Sequence, residues 1–283
     1  MKWDTTEPSR GTFNFAPGDQ IVTFAMQNNM KVKGHTLVWH NQLPSWVSSL
    51  TTQADVSAAM INHITNLVTH YKGKVVAWDV VNEAWQTPNM TGAGPATLWN
   101  DVFFQNLGSG YIDTAFQTAR KLDPNALLFY NDFAIEGVND KSTAVYNMVS
   151  SMIQRGIPID GVGMQMHFGT FGNAPTTADF AQNLKRFTDL GIKVVLSELD
   201  VNCCDGFTVA QEGTIYHDLV AACVSNPGCW AITTWGISDQ FSWLNTYNLN
   251  GCSNSMLPTP LMWDDNFAKK SAYTGTFNAL IGQ

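Results

Sequence analysis

Two acids stand where hydrophobic strands would not ordinarily place them. Glu83 follows Trp78-Asp79-Val80-Val81-Asn82, and Glu198 lies within Val194-Val195-Leu196-Ser197-Glu198-Leu199-Asp200-Val201. Runs this apolar are typical of strands buried on both faces of a parallel sheet. Polar groups at their ends need a partner or a substrate, because isolated burial is costly. Glu198 and Asp200 are two apart and share one face of their strand; so do Gln165 and His167, and so do His35 and Trp39 counted over two strand repeats. Two glutamates on different strands, flanked by Asn, Gln and His, suit cleavage of a glycosidic bond. One carboxylic acid protonates the leaving oxygen, and the other attacks the anomeric carbon or positions water.

Plainer roles account for other candidates. A structural ion pair for Glu83 would need a basic partner, and the other strand ends carry few. Asp79 has the strand parity of Glu83 and reads as a buried structural acid. His35 and His40 are five apart on a strand, so they face opposite ways, and no His-Glu-x-x-His occurs; no metal or other cofactor is expected. His63 and His70 flank a helical stripe and are expected to be partly exposed. Trp46, Trp85 and Trp99 fit either sugar stacking or packing, and Met148 and Met152 read as core.

The elements that must position these residues alternate along the chain. Strands are expected over 32–40, 75–83, 126–132, 161–168, 193–201 and 229–236. Between them run amphipathic helices with apolar stripes at Val56, Met60, Ile64, Leu67, Val68 and Tyr71, at Val145, Met148, Val149, Met152 and Ile153, and at Phe180, Leu184 and Phe187. Further helices fit 19–29, 111–122, 214–224 and 271–281. No linker or low-complexity segment divides the chain, so residues 1–283 read as a single domain.

Alternating β and α units leave an open doubly wound sheet or a closed barrel. The open sheet would want Gly-x-Gly-x-x-Gly after its first strand, and neither Gly161-Val162-Gly163 nor Gly92-Ala93-Gly94 continues that way. Polar residues at many strand C-termini favour a (β/α)8 TIM barrel. Six full strands are found, with Met1–Trp3 as a possible tail of a seventh, so the chain is expected to lack the first βα unit and most of strand 2.

Composition narrows the partners. The 283 residues carry a net charge of −8 and only 13% charged residues, with ten tryptophans and sixteen phenylalanines. That argues against nucleic acid, which needs clustered Lys and Arg, and toward a neutral, flat ligand. No apolar run is long enough to span a membrane, and Met1-Lys2-Trp3-Asp4 does not begin a signal peptide. Cys223 and Cys229 flank the turn Ser225-Asn226-Pro227-Gly228. They are either buried thiols or a bridge, and a loop that returns the chain on itself favours the bridge and an oxidising location. One of Cys203 and Cys204 is expected to pair with Cys252. Asn89-Met90-Thr91 is a glycosylation sequon.

The segments Met1-Lys2-Trp3-Asp4, Gly34-His35-Thr36-Leu37-Val38-Trp39-His40, Trp78-Asp79-Val80-Val81-Asn82-Glu83, Asn131-Asp132, Gln165-Met166-His167, Ser197-Glu198-Leu199-Asp200 and Thr234-Trp235-Gly236 occur in this order. Together they resemble a glycoside hydrolase family 10 xylanase, an endo-1,4-β-xylanase, along nearly the whole chain. The resemblance implies an extracellular, monomeric enzyme acting on xylan or xylo-oligosaccharides with retention of configuration. It implies Glu83 as acid/base, Glu198 as nucleophile, Asn82 on the sugar 2-hydroxyl, and His167 holding Glu198 while paired with Asp200. Lys2, His35, Trp39, Gln165, Trp235 and Trp243 would line the glycone subsites. Retention would set the two carboxyl groups roughly 5–5.5 Å apart, with Glu198 ionised and Glu83 protonated. Phe133 departs from the pattern, standing where many relatives carry tyrosine.

Overall fold

The alternating pattern is realised as parallel strands whose C-terminal ends carry the polar residues. The computed structural model describes residues 1–88, 90–203, 207–247 and 258–283. Two compact units divide them: Met1–Gln86, Thr97–Asp132 and Asn147–Gly161 form the first, and Thr87–Ala96, Phe133–Tyr146 and Val162–Gln283 the second. The sequon at Asn89 falls outside the described residues, as do Cys204 and Cys252 of the expected pairing.

In the first unit, the short helix α1 (Trp3–Thr6) and helix α2 (Ala16–Gln27) precede β1 (Val32–Trp39). A single turn, α3 (Ser45–Ser48), leads into α4 (Gln53–Tyr71), which starts where Thr52 accepts the backbone N–H of Asp55. Such a cap satisfies an amide with no partner within the helix. The stripe Val56, Met60, Ile64, Leu67, Val68 and Tyr71 is buried as its periodicity requires. β2 (Val75–Asn82) follows, then the small antiparallel pair β3 (Trp85–Gln86) and β4 (Thr97–Leu98), helices α5 (Val102–Leu107) and α6 (Gly110–Leu122), and β5 (Leu127–Asp132). β2 pairs in parallel with β1 on one side and β5 on the other, which aligns Trp39, Asn82 and Asn131 at one end. Among the described residues β1 pairs only with β2.

Residues Asp140–Gln154 form α7, with Val145, Val149 and Met152 buried. The second unit then holds β6 (Gly161–Met164), β7 (His167–Phe168), α8 (Thr177–Thr188), β8 (Lys193–Val201), α9 (Val209–Val224), β9 (Cys229–Thr234) and α10 (Ser271–Leu280). β8 is its centre, buried along almost its whole length and paired in parallel with β7 and β9. Thr208 and Gln211 close a capping box at the start of α9, satisfying two amides reciprocally. Cys223 and Cys229 are bridged, with 5.3 Å between their Cα atoms. Cys203 is a free, buried thiol.

Several local expectations differ from what is observed: Trp3 begins α1 rather than continuing a strand, and Ile153 of the α7 stripe is exposed. The segment 161–168 is not one strand: it breaks at Met166, whose φ of +68° turns the backbone into the left-handed region between β6 and β7. β9 is partly open rather than buried on both faces, because β8 is its only paired strand among the described residues. His63 is fully buried. Its ring stacks on Trp3 at 3.9 Å, and its Nδ1 lies 3.1 Å from Oε2 of Glu7, a buried carboxylate that also accepts from Trp3 Nε1 and the Gly11 amide. A carboxylate partner and an aromatic face make room for a histidine in the core. His70 stays half-exposed beside Asp19.

Candidate active site

Each unit carries several of the predicted residues, most of them at or near the C-terminal ends of its strands. In the first, Glu83 leaves β2 with φ +54°, a left-handed turn that takes it out of the strand's alternation. Its amide donates to the Asn131 carbonyl at 2.8 Å, and the next amide, of Ala84, donates to the Tyr130 hydroxyl at 3.0 Å. The Trp39 indole N–H donates to Glu83 Oε2 at 2.8 Å, and the Lys2 ammonium sits 4.2 Å from the centre of the Trp39 ring. Asn131 donates its side-chain amide to Asn82 Oδ1 at 2.8 Å, which fixes the orientation of that buried amide.

Below this layer Asp79 is the structural acid its parity suggested. It is 1% exposed, bonded to Lys33, and 2.9 Å from His35 Nδ1. Burial would raise its pKa, but the Lys33 charge and the His35 hydrogen bond outweigh burial and lower it. His35 is thereby anchored from behind with its ring 6.3 Å from Trp39. His40 stacks on Trp99 instead, and Trp46 donates to the Glu7 carbonyl. Trp85 directs its N–H at the half-buried Met148 sulfur, 3.4 Å away, so Met148 packs on an indole at the margin of the core.

The second unit gathers Glu198, Asp200, His167 and Trp243. His167 Nδ1 lies 2.8 Å from Asp200 Oδ1 and its Nε2 lies 3.3 Å from Glu198 Oε2. The Trp243 indole donates to the other Asp200 oxygen at 2.8 Å. Glu198 and Asp200 are 4% and 0% exposed, so water does not screen their contacts with the ring. Burial alone would strip the proton from His167. The charges of Asp200 and Glu198 and their hydrogen bonds win, and push its pKa up to about 10. The ring is therefore a doubly donating imidazolium at neutral pH, holding two carboxylates.

Aromatic rings enclose this cluster: Trp243 and Trp235 stand edge-on to His167 at 5.4 and 6.3 Å, and Phe171 lies 6.0 Å away. Gln165 is buried at the break between β6 and β7. Phe133 is 3% exposed beneath Phe171, with the Lys141 ammonium 3.5 Å from its ring centre. A ring so covered packs rather than offers a polar contact.

Beside His167 lies a cavity of about 180 Å³ whose walls include Glu136, Asn139, Phe171 and Asp179. A larger one, about 520 Å³, lies among Val220, Val224, Trp230, Ile232 and Leu280 with no acid or base in its wall. Size alone therefore does not locate the chemistry. Among the described residues no three His, Cys, Asp or Glu side chains converge as a metal ion would require.

Sequence reasoning gave no role to Tyr130, Asp132 or Glu136, although Asn131-Asp132 was among the segments that carry the resemblance. Tyr130 bonds Asp132 while receiving the Ala84 amide, so it braces the turn that carries Glu83. Its position in an apolar strand just before Asn131-Asp132 was the available signal.

The sequence model of Glycosyl hydrolase family 10 matches residues 1–279. An endo-1,4-beta-xylanase of Agaricus bisporus is 40% identical over 280 residues, covering 97% of this chain and 79% of that protein. Endo-1,4-beta-xylanase D of Talaromyces funiculosus is 42% identical over 285 residues, covering 99% of this chain and 66%, slightly under two thirds, of the relative. The crystal structure of xylanase 10B from Thermotoga petrophila RKU-1 in complex with xylobiose matches with a TM-score of 0.89 at 36% identity, covering 99% of this chain and 83% of that one. This likeness assigns the chain to the (β/α)8 barrel class.

Proposed function

The chain belongs to glycosyl hydrolase family 10, and from that membership we propose that it is an extracellular endo-1,4-β-xylanase that cleaves the xylan backbone with retention of configuration. Glu198 attacks the anomeric carbon as Glu83 gives its proton to the departing glycosidic oxygen. A glycosyl ester of Glu198 forms and the leaving chain departs with that proton. Water then attacks the same carbon, Glu83 takes its proton, and Glu198 leaves as a carboxylate.

The observation that carries this reading is the His167 ring lying within hydrogen-bond distance of Glu198 and Asp200 at once. A nucleophilic carboxylate must be ionised, and a buried cation at 3.3 Å favours that form. Asp200, itself held by Trp243, keeps the imidazole charged without taking its place beside Glu198. On the other half, Trp39 orients Glu83 through its indole N–H while Asn131 and Tyr130 fix the turn beneath it. Asn82, its amide oriented by Asn131, donates to the 2-hydroxyl of the sugar being cleaved. Lys2, His35, Trp39, Gln165, Trp235 and Trp243 line the glycone subsites, where indole faces suit flat, uncharged pyranose rings. The xylobiose complex of the relative from Thermotoga petrophila supports a xylo-oligosaccharide ligand, and the Cys223–Cys229 bridge supports an oxidising location. No helix among the described residues is long and apolar enough to cross a membrane.

Release of reducing ends from xylan and from carboxymethylcellulose tests the reading. Xylan is cut and carboxymethylcellulose is not. Glu198→Gln lowers turnover by about 10⁴-fold or more, the scale seen when a nucleophile is removed. Glu83→Ala keeps activity on aryl xylosides whose leaving groups need no proton, and azide raises it further. Equal rates on both polymers, or a Glu198→Gln enzyme that still turns over, would refute the proposal.

A further inference from the structure

Glu136 is a buried carboxylic acid that the proposed mechanism does not use. It is 5% exposed, and its Oε1 accepts the backbone N–H of Met166 at 2.9 Å. Met166 is the left-handed residue that separates β6 from β7 and leads directly into His167. A non-glycine residue seldom occupies that region, and it persists only where its surroundings hold it. Here both sides of the residue are held: the N–H by Glu136, and the carbonyl by the Asp200 amide at 3.3 Å. The backbone of Glu136 is itself tied down, because the buried Asn183 donates to the carbonyls of Ile135 and Glu136 at 2.7 and 3.0 Å. A rigid bracket thus runs from α8 through Glu136 to the peptide on which His167 is mounted.

We propose that Glu136 is a positioning residue for the reaction: by holding the Met166 amide it sets the His167 ring between Glu198 and Asp200. The inference rests on the reading of Glu198 as nucleophile. Without the Glu136 oxygen, the Met166 amide is buried with no acceptor and the peptide rotates to find one. The His167 Nε2, already 3.3 Å from Glu198, then drifts from it. Burial raises the pKa of Glu136 against the opposing hydrogen bond from Met166 and the charges of Lys141 and His167.

The test compares Glu136→Gln, which keeps an acceptor oxygen, with Glu136→Leu and Glu136→Ser, which remove it while filling the space or opening it to water. Whichever of the last two folds serves as the reporter. The readouts are kcat and KM on an aryl xylobioside and the proton resonance of the His167 Nδ1–H, observed without substrate. Removing the acceptor lowers kcat by about 10- to 100-fold, the cost of misplacing a catalytic group by an ångström or less, with KM within twofold. It also shifts and broadens the His167 resonance. Glu136→Gln keeps kcat within threefold and the resonance in place. The inference is overturned if the folded Leu or Ser variant keeps wild-type kcat, or loses kcat with an unaltered His167 resonance. It is equally overturned if Gln is as damaging as Leu. Because the resonance is read on the free protein, a wild-type enzyme inert toward xylan would sink the functional reading alone.

Discussion

His167 carries a large electrostatic commitment, and its sign can be followed through pH. Its folded pKa of about 10 lies above the ordinary histidine value of 6.5, so the native state holds a proton that the unfolded chain releases. The stability this contributes is fully present below pH 6.5 and is lost as pH rises from there toward 10. His167→Gln cannot titrate in that range. The melting temperature of the wild type is therefore expected to exceed that of His167→Gln most at pH 6, with the gap narrowing steadily toward pH 10. A gap independent of pH in thermal melts would show that His167 is not protonated. Much at this scale was legible in the sequence, because Glu198, Asp200, Gln165 and His167 lie in or directly after runs too apolar to carry such residues by chance. Glu136 was not legible: it acts on a backbone amide, and no side-chain pattern announces that. His63 was misread because its partner Glu7 and its stacking partner Trp3 lie far away in sequence and close in space.

Strands and helices convert these residues into geometry. The parallel register of β1, β2 and β5 brings Trp39, Asn82 and Asn131 to one level, so a single turn at Glu83 finds both its amide acceptor and its indole donor. Runs of buried β-branched residues and helical stripes made most of these elements readable to within a few residues. The break at Met166 escaped because a left-handed residue is foreseen only when it is glycine. The partial exposure of β9 escaped because an apolar strand reads alike whether one neighbour or two flank it. Near β9, the Cys223–Cys229 bridge spans six residues from the end of α9 to the first residue of the strand. A loop so short removes little chain entropy, so reducing it is expected to cost about 2 kcal/mol. Denaturant melts with and without reductant check this, and no change in midpoint would mean that the bridge constrains nothing the fold does not already fix.

Across the molecule, sparse charge and abundant tryptophan agree with a substrate that is neutral and ring-shaped. Glu83 has its supporting set, Trp39, Asn131 and Tyr130, within the first compact unit, and Glu198 has His167, Asp200 and Trp243 within the second. The division of labour between them is the central claim: Glu198 forms the covalent bond and Glu83 moves the protons. An activated 2-deoxy-2-fluoro-xylobioside tests it most directly, because the fluorine slows both steps while a good leaving group restores only the first, so the ester accumulates. Peptide mass spectrometry of the inactivated protein should find one fluoroxylobiosyl group, on Glu198. A label on any other residue, or steady hydrolysis with no label on a protein that cuts xylan, would contradict the account.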